Sequence, residues 1–268
     1  MTLPAFPAVM GIINLSPDSF YLATPHSDDA LKKAETMALQ GAAIIDVGAV
    51  ATNPTIHLSA AISVQAELDK VIPFIEKLSR RVDVMISVDT SRAEVMRAAI
   101  HAGAHMINDQ CALHTENALE TVAALHVPVC LMHHFHPVRT PNASSPDMLL
   151  TQIHHDLLQE THRCMAAGIL RDNIIIDPGF GGGHFGKSAD ENFFILNKLR
   201  VLVELGFPVL VGVSRKSMFT EIQSQVSDRL YASVAAATIA AMQGAAILRV
   251  HDVQATVDAM QVVKKIQG

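Results

Sequence analysis

Tryptophan is missing from this sequence, and aromatic residues make up only 4% of its 268 residues. Without large rings, packing falls to Ala, Val, Ile and Leu, as in parallel strands covered on both faces. An excess of basic charge is missing too. Twenty Lys and Arg against 26 Asp and Glu leave a formal net charge of -6, with no basic stripe of the kind a nucleic-acid binder needs. Cysteine is scarce: Cys111, Cys130 and Cys164 are an odd number without CxxC or CxxCH spacing. That pattern points to a reduced, cytoplasmic compartment. No apolar run reaches the ~18 residues of a membrane span, and residues 1–7 lack both the basic and the apolar regions of a signal peptide.

Apolar residues are plentiful, at 50% of the chain, and they come in a regular order. Short apolar runs at 8–13, 43–47, 84–88, 105–108, 127–132, 173–177, 208–213 and 246–250 read as strands. Longer amphipathic stretches near 28–40, 60–80, 91–102, 116–124, 147–167, 190–205, 227–243 and 253–266 read as helices. Several turns into strands carry Gly-Ala, at Gly41-Ala42, Gly103-Ala104 and Gly244-Ala245, where a glycine takes the left-handed cap of the preceding helix at low cost. Eight βα units without a composition break predict one (β/α)8 TIM barrel over residues 1–268, because such barrels run to about 250 residues as one domain. An open doubly wound sheet of six or seven strands is the alternative on pattern alone.

The unusual residues sit where a barrel keeps its chemistry. Asn14, Asp46, Asp89, Asn108, His133, Asp177, Ser214 and Arg249 follow strand after strand, and catalytic groups of this fold lie at the C-terminal strand ends. Asp89, Asn108 and Asp177 are expected to converge. Two carboxylates and a carboxamide match a flat heterocycle with several N–H groups, such as a 2-amino-4-oxo pyrimidine edge. The competing reading is that acids at strand ends cap the next helix.

Ser214-Arg215-Lys216-Ser217 follows the seventh strand, near where barrels often build phosphate sites. Arg215 and Lys216 read equally as a solvated charge pair. Arg249 and His251 are two apart on an extended segment and therefore point the same way, which suits an anion such as diphosphate. The Gly-rich run 179–187 has no P-loop frame. His133, His134 and His136, with His154 and His155, invite a metal reading, but they lack an acidic or Cys partner at a recognised ligand spacing. Cys130, inside a strand, reads as a small core hydrophobe.

In family order the chain carries MGIINLSPDSF (10–20), GAAIIDVG (41–48), ISVDT (86–90), IND (107–109), MH (132–133), DPGFG (177–181), SRKS (214–217) and RVHDV (249–253). Over nearly its whole length it resembles the dihydropteroate synthases. SRKS together with RVHDV is the specific part, since an Asp–Asn–Asp cradle also fits related methyltetrahydrofolate-binding methyltransferases. The resemblance implies a transferase that joins (7,8-dihydropterin-6-yl)methyl diphosphate to 4-aminobenzoate, with Mg2+ assisting the leaving diphosphate. It implies that Asp89, Asn108 and Asp177 hold the pterin, that Lys216 reaches its carbonyl, and that Arg249 stacks on it. Lys216, Arg249 and Asp177 would be the catalytic residues. Asn14, Arg249 and His251 would hold the diphosphate, with Asn14 on the metal. Thr52, Pro54 and Ser214 would form the 4-aminobenzoate pocket, under loops at 15–25 and 50–54. A homodimer through helices of the last third of the barrel is also implied, with small molecules as the substrates.

Departures fall in the loops. Where the family usually reads DVGGESTRPG, this chain reads Asp46-Val47-Gly48-Ala49-Val50-Ala51-Thr52-Asn53-Pro54. Only Thr52 and Pro54 survive from the active part of that loop, and Asn53 cannot replace a planar charged donor. Residues 21–26 depart from the usual Gly- and Ser-rich loop, Gln110 stands where an aliphatic residue is usual, and His134–Pro137 replace a Gln-Gly turn. Three readings stay open: an active synthase with an altered aryl-amine pocket and altered sulfonamide response, a divergent pterin-binding paralogue, or a methyltransferase. SRKS and RVHDV weigh against the last, which has no diphosphate to hold.

Overall fold

The computed structural model describes residues 7–15, 27–49, 62–136, 138–182 and 185–268. Eight strands alternate with helices along it: β1 Ala8–Asn14, β2 Ile44–Gly48, β3 Met85–Asp89, β4 Met106–Asp109, β5 Val129–Met132, β6 Ile174–Asp177, β7 Leu210–Val211 and β8 Ile247–Val250. They form one parallel sheet in the order β6-β5-β4-β3-β2-β1-β8-β7. A further parallel bridge, Ile176 to Val209, joins β6 to β7. Strands adjacent in sequence are adjacent in space all the way round, which excludes the open doubly wound order and makes the sheet a barrel.

The helices are α1 Ser27–Leu39, α2 Val64–Leu78, α3 Ala93–His101, α4 Ala118–Leu125, α5 Pro146–Ala166, α6 Ala189–Asn197, α7 Arg200–Val203, α8 Leu230–Met242 and α9 Val253–Gln267. The three Gly-Ala turns behave as the sequence predicts, with φ of +96° at Gly41, +112° at Gly103 and +102° at Gly244. Two expectations change. The expected helix 190–205 breaks at Lys198 into α6 and α7, and the break keeps Leu196, Leu199 and Leu202 all buried. The expected strand 208–213 is reduced to Leu210–Val211. Proline at 208 has no N–H for a ladder, though its carbonyl still accepts from Ile176 N (3.0 Å). Beyond Val211 the backbone leaves the sheet for the Ser214 loop.

Strand parity divides the core in two. Residues of one parity pack between sheet and helices in a large cluster that includes Ile45, Val47, Ile86, Val88, Ile107 and Leu248. Residues of the other parity, Ala8, Met10, Ile44, Met106, Cys130, Ile175, Leu210 and Ile247, form a separate cluster inside the barrel. Cys130 is thus the core hydrophobe expected of it. Two residues further along several of these strands, the inward positions become Asp46, Asn108, Asp177 and Arg249. The barrel is apolar at its base and charged at its mouth.

Candidate active site

Asp46 lies at the centre of the polar layer. It is fully buried on β2, and its Oδ2 accepts from Asn108 Nδ2 of β4 (3.1 Å) and from Arg249 Nε of β8 (2.6 Å). Arg249 Nη2 also donates to Asp89 Oδ2 of β3 (2.6 Å). One guanidinium therefore bridges two carboxylates from strands on the same side of the barrel. Burial opposes the Arg249 charge, but Asp46 and Asp89 more than offset it and raise its pKa. Asp89 is pushed the other way from a normal acid: burial raises its pKa, Arg249 and a hydrogen bond from Gln110 oppose that, and Asp46 adds to it. Next to this knot, Asp46 Oδ1 and Ser87 Oγ are buried without a hydrogen-bond partner among the described residues. Such groups are costly inside a protein unless a ligand or solvent completes them.

The opposite side of the mouth is built from the loop after β6. Asp177 Oδ1 accepts from Gly179 N (2.7 Å), and the sharp turn needs Gly179 at φ +68° because a Cβ there would come 2.1 Å from His133 O. His133, at the end of β5, donates its backbone N–H to Asp177 O (2.8 Å), and its ring Nε2 lies 3.1 Å from Asp156 Oδ2. Burial lowers the His133 pKa to about 4, so the ring is a neutral strut. Lys187 is buried under the loop and donates to Gly179 O (2.9 Å) and Phe185 O (3.3 Å). Desolvation brings its pKa down to about 7, against the pull of Asp177.

Lys216 reaches the same place from the β7 side, where its Nζ donates to Phe180 O. Burial lowers its pKa to about 8, and Asp177 is the main group holding it up. Asp177 is itself raised by burial, with Lys216 the largest opposing influence. The two charges thus oppose each other's desolvation beside the loop that follows β6. Lys216 is aimed by Arg215, which takes φ +58° and turns outward to make two bonds to Asp252 (2.8 and 2.7 Å). Arg229 then braces the turn from behind, through Arg215 O and Lys216 O (both 3.2 Å). Strain of this kind persists where surrounding contacts over-determine the backbone. Arg215 and Lys216 are therefore not a solvated charge pair; each is buried or committed, in opposite directions.

Ser214 and His251 adjoin this turn. Ser214 Oγ accepts from His251 N (3.2 Å) and lies 3.0 Å from His251 Nδ1. Burial, then the charge of Arg249, lowers the His251 pKa to about 3. At neutral pH the ring is uncharged. It offers an anion a hydrogen bond rather than the positive charge suggested by an Arg–His pair in the sequence.

A family model described as a pterin binding enzyme matches residues 10–251. The chain is 44% identical over 262 residues to the dihydropteroate synthase of Escherichia coli (strain K12), covering 96% of this chain and 91% of that one. Among solved structures, a dihydropteroate synthase from Coxiella burnetii in complex with pteroic acid matches with a TM-score of 0.94 and 46% identity, over 98% of this chain and 94% of that one. A Xanthomonas albilineans dihydropteroate synthase with 4-aminobenzoic acid matches with a TM-score of 0.91 and 42% identity, over 100% and 95%. The chain belongs to the dihydropteroate synthase family.

Of the residues that family resemblance singles out, Asp89, Asn108 and Arg249 are gathered into one hydrogen-bonded knot through Asp46. Asp177 and Lys216 face it electrostatically, since both respond to the Arg249 charge. Asn14 ends β1 beside Gly48 of β2. Thr52 and Pro54, with the loops at 16–25 and 50–54, lie outside the described residues. The helix-cap reading of the acids does not hold: the N-caps of α3, α4 and α6 are Arg92, Asn117 and Ser188. Two residues of this polar cluster, Asp46 and Gln110, have no role in the sequence reading. Asp46 was seen as a polar strand residue but given no role, although an acid of the same parity as Ile44 in an apolar strand must point into the barrel. Gln110 was seen only as a departure from the usual pattern.

Proposed function

We propose that this chain is a working dihydropteroate synthase, a transferase that condenses (7,8-dihydropterin-6-yl)methyl diphosphate with 4-aminobenzoate. The observation that carries this reading is the meeting of an Asp46–Asn108–Arg249–Asp89 knot with an Asp177–Lys216 pair at one barrel mouth. Asp89, Asn108 and Asp177 take the N–H groups of the pterin edge. Lys216 donates to its carbonyl, and Arg249 lies against the ring and the leaving group. In the reaction the C–O bond to diphosphate breaks with its electron pair. The amine lone pair of 4-aminobenzoate forms the C–N bond, and one amine proton passes to the departing diphosphate or to water. A positive charge develops on the methylene and the ring as the diphosphate departs. Asp177, fixed by Gly179 N–H and poorly solvated, stabilises that charge without reorganising. Ser214, oriented by His251, lines the 4-aminobenzoate side.

The diphosphate is held by Asn14, Arg249 and neutral His251. Mg2+ is expected with it. Mg2+ is usually bound by one or two protein oxygens plus substrate phosphates. Asn14 supplies such an oxygen, and the ion would neutralise the leaving group. We further propose a homodimer through α8. That helix has no charged residue and is apolar all round, burying Ala236, Ala237 and Ala240 inward while exposing Tyr231, Ile239 and Met242. The free thiols of Cys111, Cys130 and Cys164 fit a reducing cytoplasm.

The test is diphosphate release by purified protein with Mg2+, each substrate omitted in turn. Release that requires 4-aminobenzoate and yields dihydropteroate is expected. Pterin binding without product would replace this reading with the pterin-binding paralogue.

A further inference from the structure

Gln110 directly follows β4, in a turn fastened from both sides. Asp109 accepts from Cys111 N (2.9 Å), Leu113 N (2.7 Å) and the Ser91 hydroxyl. Ala112 and Leu113 both take positive φ, +47° and +61°, and Arg163 donates to their carbonyl oxygens from outside (2.5 and 3.5 Å). With its backbone so fixed, Gln110 returns its side chain to the barrel mouth. There Nε2 lies 2.9 Å from Asp89 Oδ1 and 3.1 Å from Oδ2.

We propose that Gln110 is a positioning residue that sets the plane of the Asp89 carboxylate and thereby the selectivity of this site for its pterin edge. The inference rests on the synthase reading above for the identity of the ligand. Asp89 is held between two donors, Gln110 from the turn after β4 and Arg249 from β8. An Arg on one oxygen alone leaves the carboxylate plane free to rock about that contact. A second donor shared by both oxygens removes that freedom. A carboxylate has about four lone-pair directions, so the three contacts from these two partners still leave room for one ring N–H donor, now in a fixed direction. An aliphatic side chain at this position has no such donor, so the device belongs to this chain's departure from the usual family pattern. Fixing the acceptor in advance reduces the ordering cost that binding would otherwise carry.

The hydrogen bond also favours the ionised carboxylate, which must accept rather than donate at the pterin edge. The other charged or titratable groups bearing on Asp89 are Arg249, Asp46, Asp109, Cys111 and Lys216. Of these, Arg249 works with Gln110, while Asp46 and Asp109 work against it.

The test compares the full-length protein with Gln110→Met, which keeps the length but loses the donor, and Gln110→Glu, which puts an acceptor beside the carboxylate. Calorimetry with the pterin diphosphate gives Kd, and steady-state kinetics give separate KM values for the two substrates across neutral pH. For Gln110→Met we expect pterin Kd and KM to rise about tenfold, the size of a lost hydrogen bond to a charged group. KM for 4-aminobenzoate should stay within about twofold. The acid limb of pterin binding should move to higher pH, and Gln110→Glu should exceed Gln110→Met on each count. Equal changes in both KM values, or an unchanged pterin Kd and acid limb in the Met variant, would overturn the proposal. A wild-type protein that binds the pterin diphosphate but makes no dihydropteroate sinks the synthase reading alone, because the Kd comparison still decides the role of Gln110. A wild type that binds no pterin diphosphate sinks both.

Discussion

The base and the mouth of this barrel are made by the same strands, one inward position apart. At the base the inward residues are Met10, Ile44, Met106, Cys130, Ile175 and Ile247. At the mouth they are Asp46, Asn108, Asp177 and Arg249, with Asp89 and Lys216 beside them. The base gains free energy by removing aliphatic surface from water, roughly 25 cal/mol per Å2. The mouth spends some of that gain holding ionised groups where they are poorly solvated, with Asp46 Oδ1 and Ser87 Oγ lacking a partner among the described residues. The lesson is a division of labour along one strand. Stability is concentrated where the inward residue is Ile or Met, and chemistry where it is Asp or Arg.

The largest effect expected from breaking this division is that of Arg249→Ala. It leaves Asp46 and Asp89 facing each other without their shared counter-charge. Unpairing buried charges costs about 3–5 kcal/mol, and turnover should fall by on the order of a thousandfold or more, as when a key electrostatic donor is removed. Thermal unfolding and dihydropteroate formation measured on one preparation check both parts. Asp177→Ala should lose most turnover too. Near-normal rates in both variants would mean the catalytic site has been misplaced.

At the base, Ile44→Ala should cost about 2–5 kcal/mol as a large-to-small core substitution, with kcat/KM per folded molecule nearly unchanged. Denaturant unfolding and active-site titration separate the two. A large loss of kcat/KM at full folding would show that the layers are mechanically coupled, contrary to the division proposed.

A pH series sharpens the comparison further. Lys187 has its pKa lowered from 10.5 to about 7 in the folded protein. The unfolded chain therefore holds a proton that the folded one has released between those values. Its contribution to stability is present above the unfolded pKa and is lost as pH falls through about 7. Lys187→Met should flatten the rise in stability between pH 7 and 10.5, seen as a wild-type-minus-variant difference in denaturant midpoints. An identical pH slope in both proteins would show that Lys187 is not desolvated as described.

The smallest effect is expected from Ser214→Ala, which removes one hydrogen-bond partner of the His251 ring. About 1 kcal/mol, or several-fold in KM for the 4-aminobenzoate or diphosphate step, is the expected scale. The check is steady-state KM for each substrate. A loss as large as that of Arg249→Ala would give Ser214 a direct part in the chemistry.

Much of the fold was legible because its signals are local. Apolar runs alternating with amphipathic stretches give eight βα units, and Gly41, Gly103 and Gly244 mark their corners with positive φ. The candidate site was legible in outline for the same reason: Asp89, Asn108, Asp177, Lys216 and Arg249 all follow strands, and strand ends share one face of a barrel. Parity even contained the direction of Asp46. Its partners were not contained there, since it meets Asn108 across 62 residues and Arg249 across 203.

By itself, then, the sequence determined the eight strand–helix units, the inward parity of their residues and the polar character of the C-terminal ends. Tertiary structure alone decided that Arg249 bridges Asp46 and Asp89, that Arg215 turns away to Asp252 while Lys216 turns in, that His251 is neutral, and that Gln110 folds back onto Asp89. The physical reason is one of range. Strand parity is fixed by backbone geometry within a few residues, whereas ionisation and hydrogen-bond pairing depend on burial and on charges brought together from distant segments only when the barrel closes.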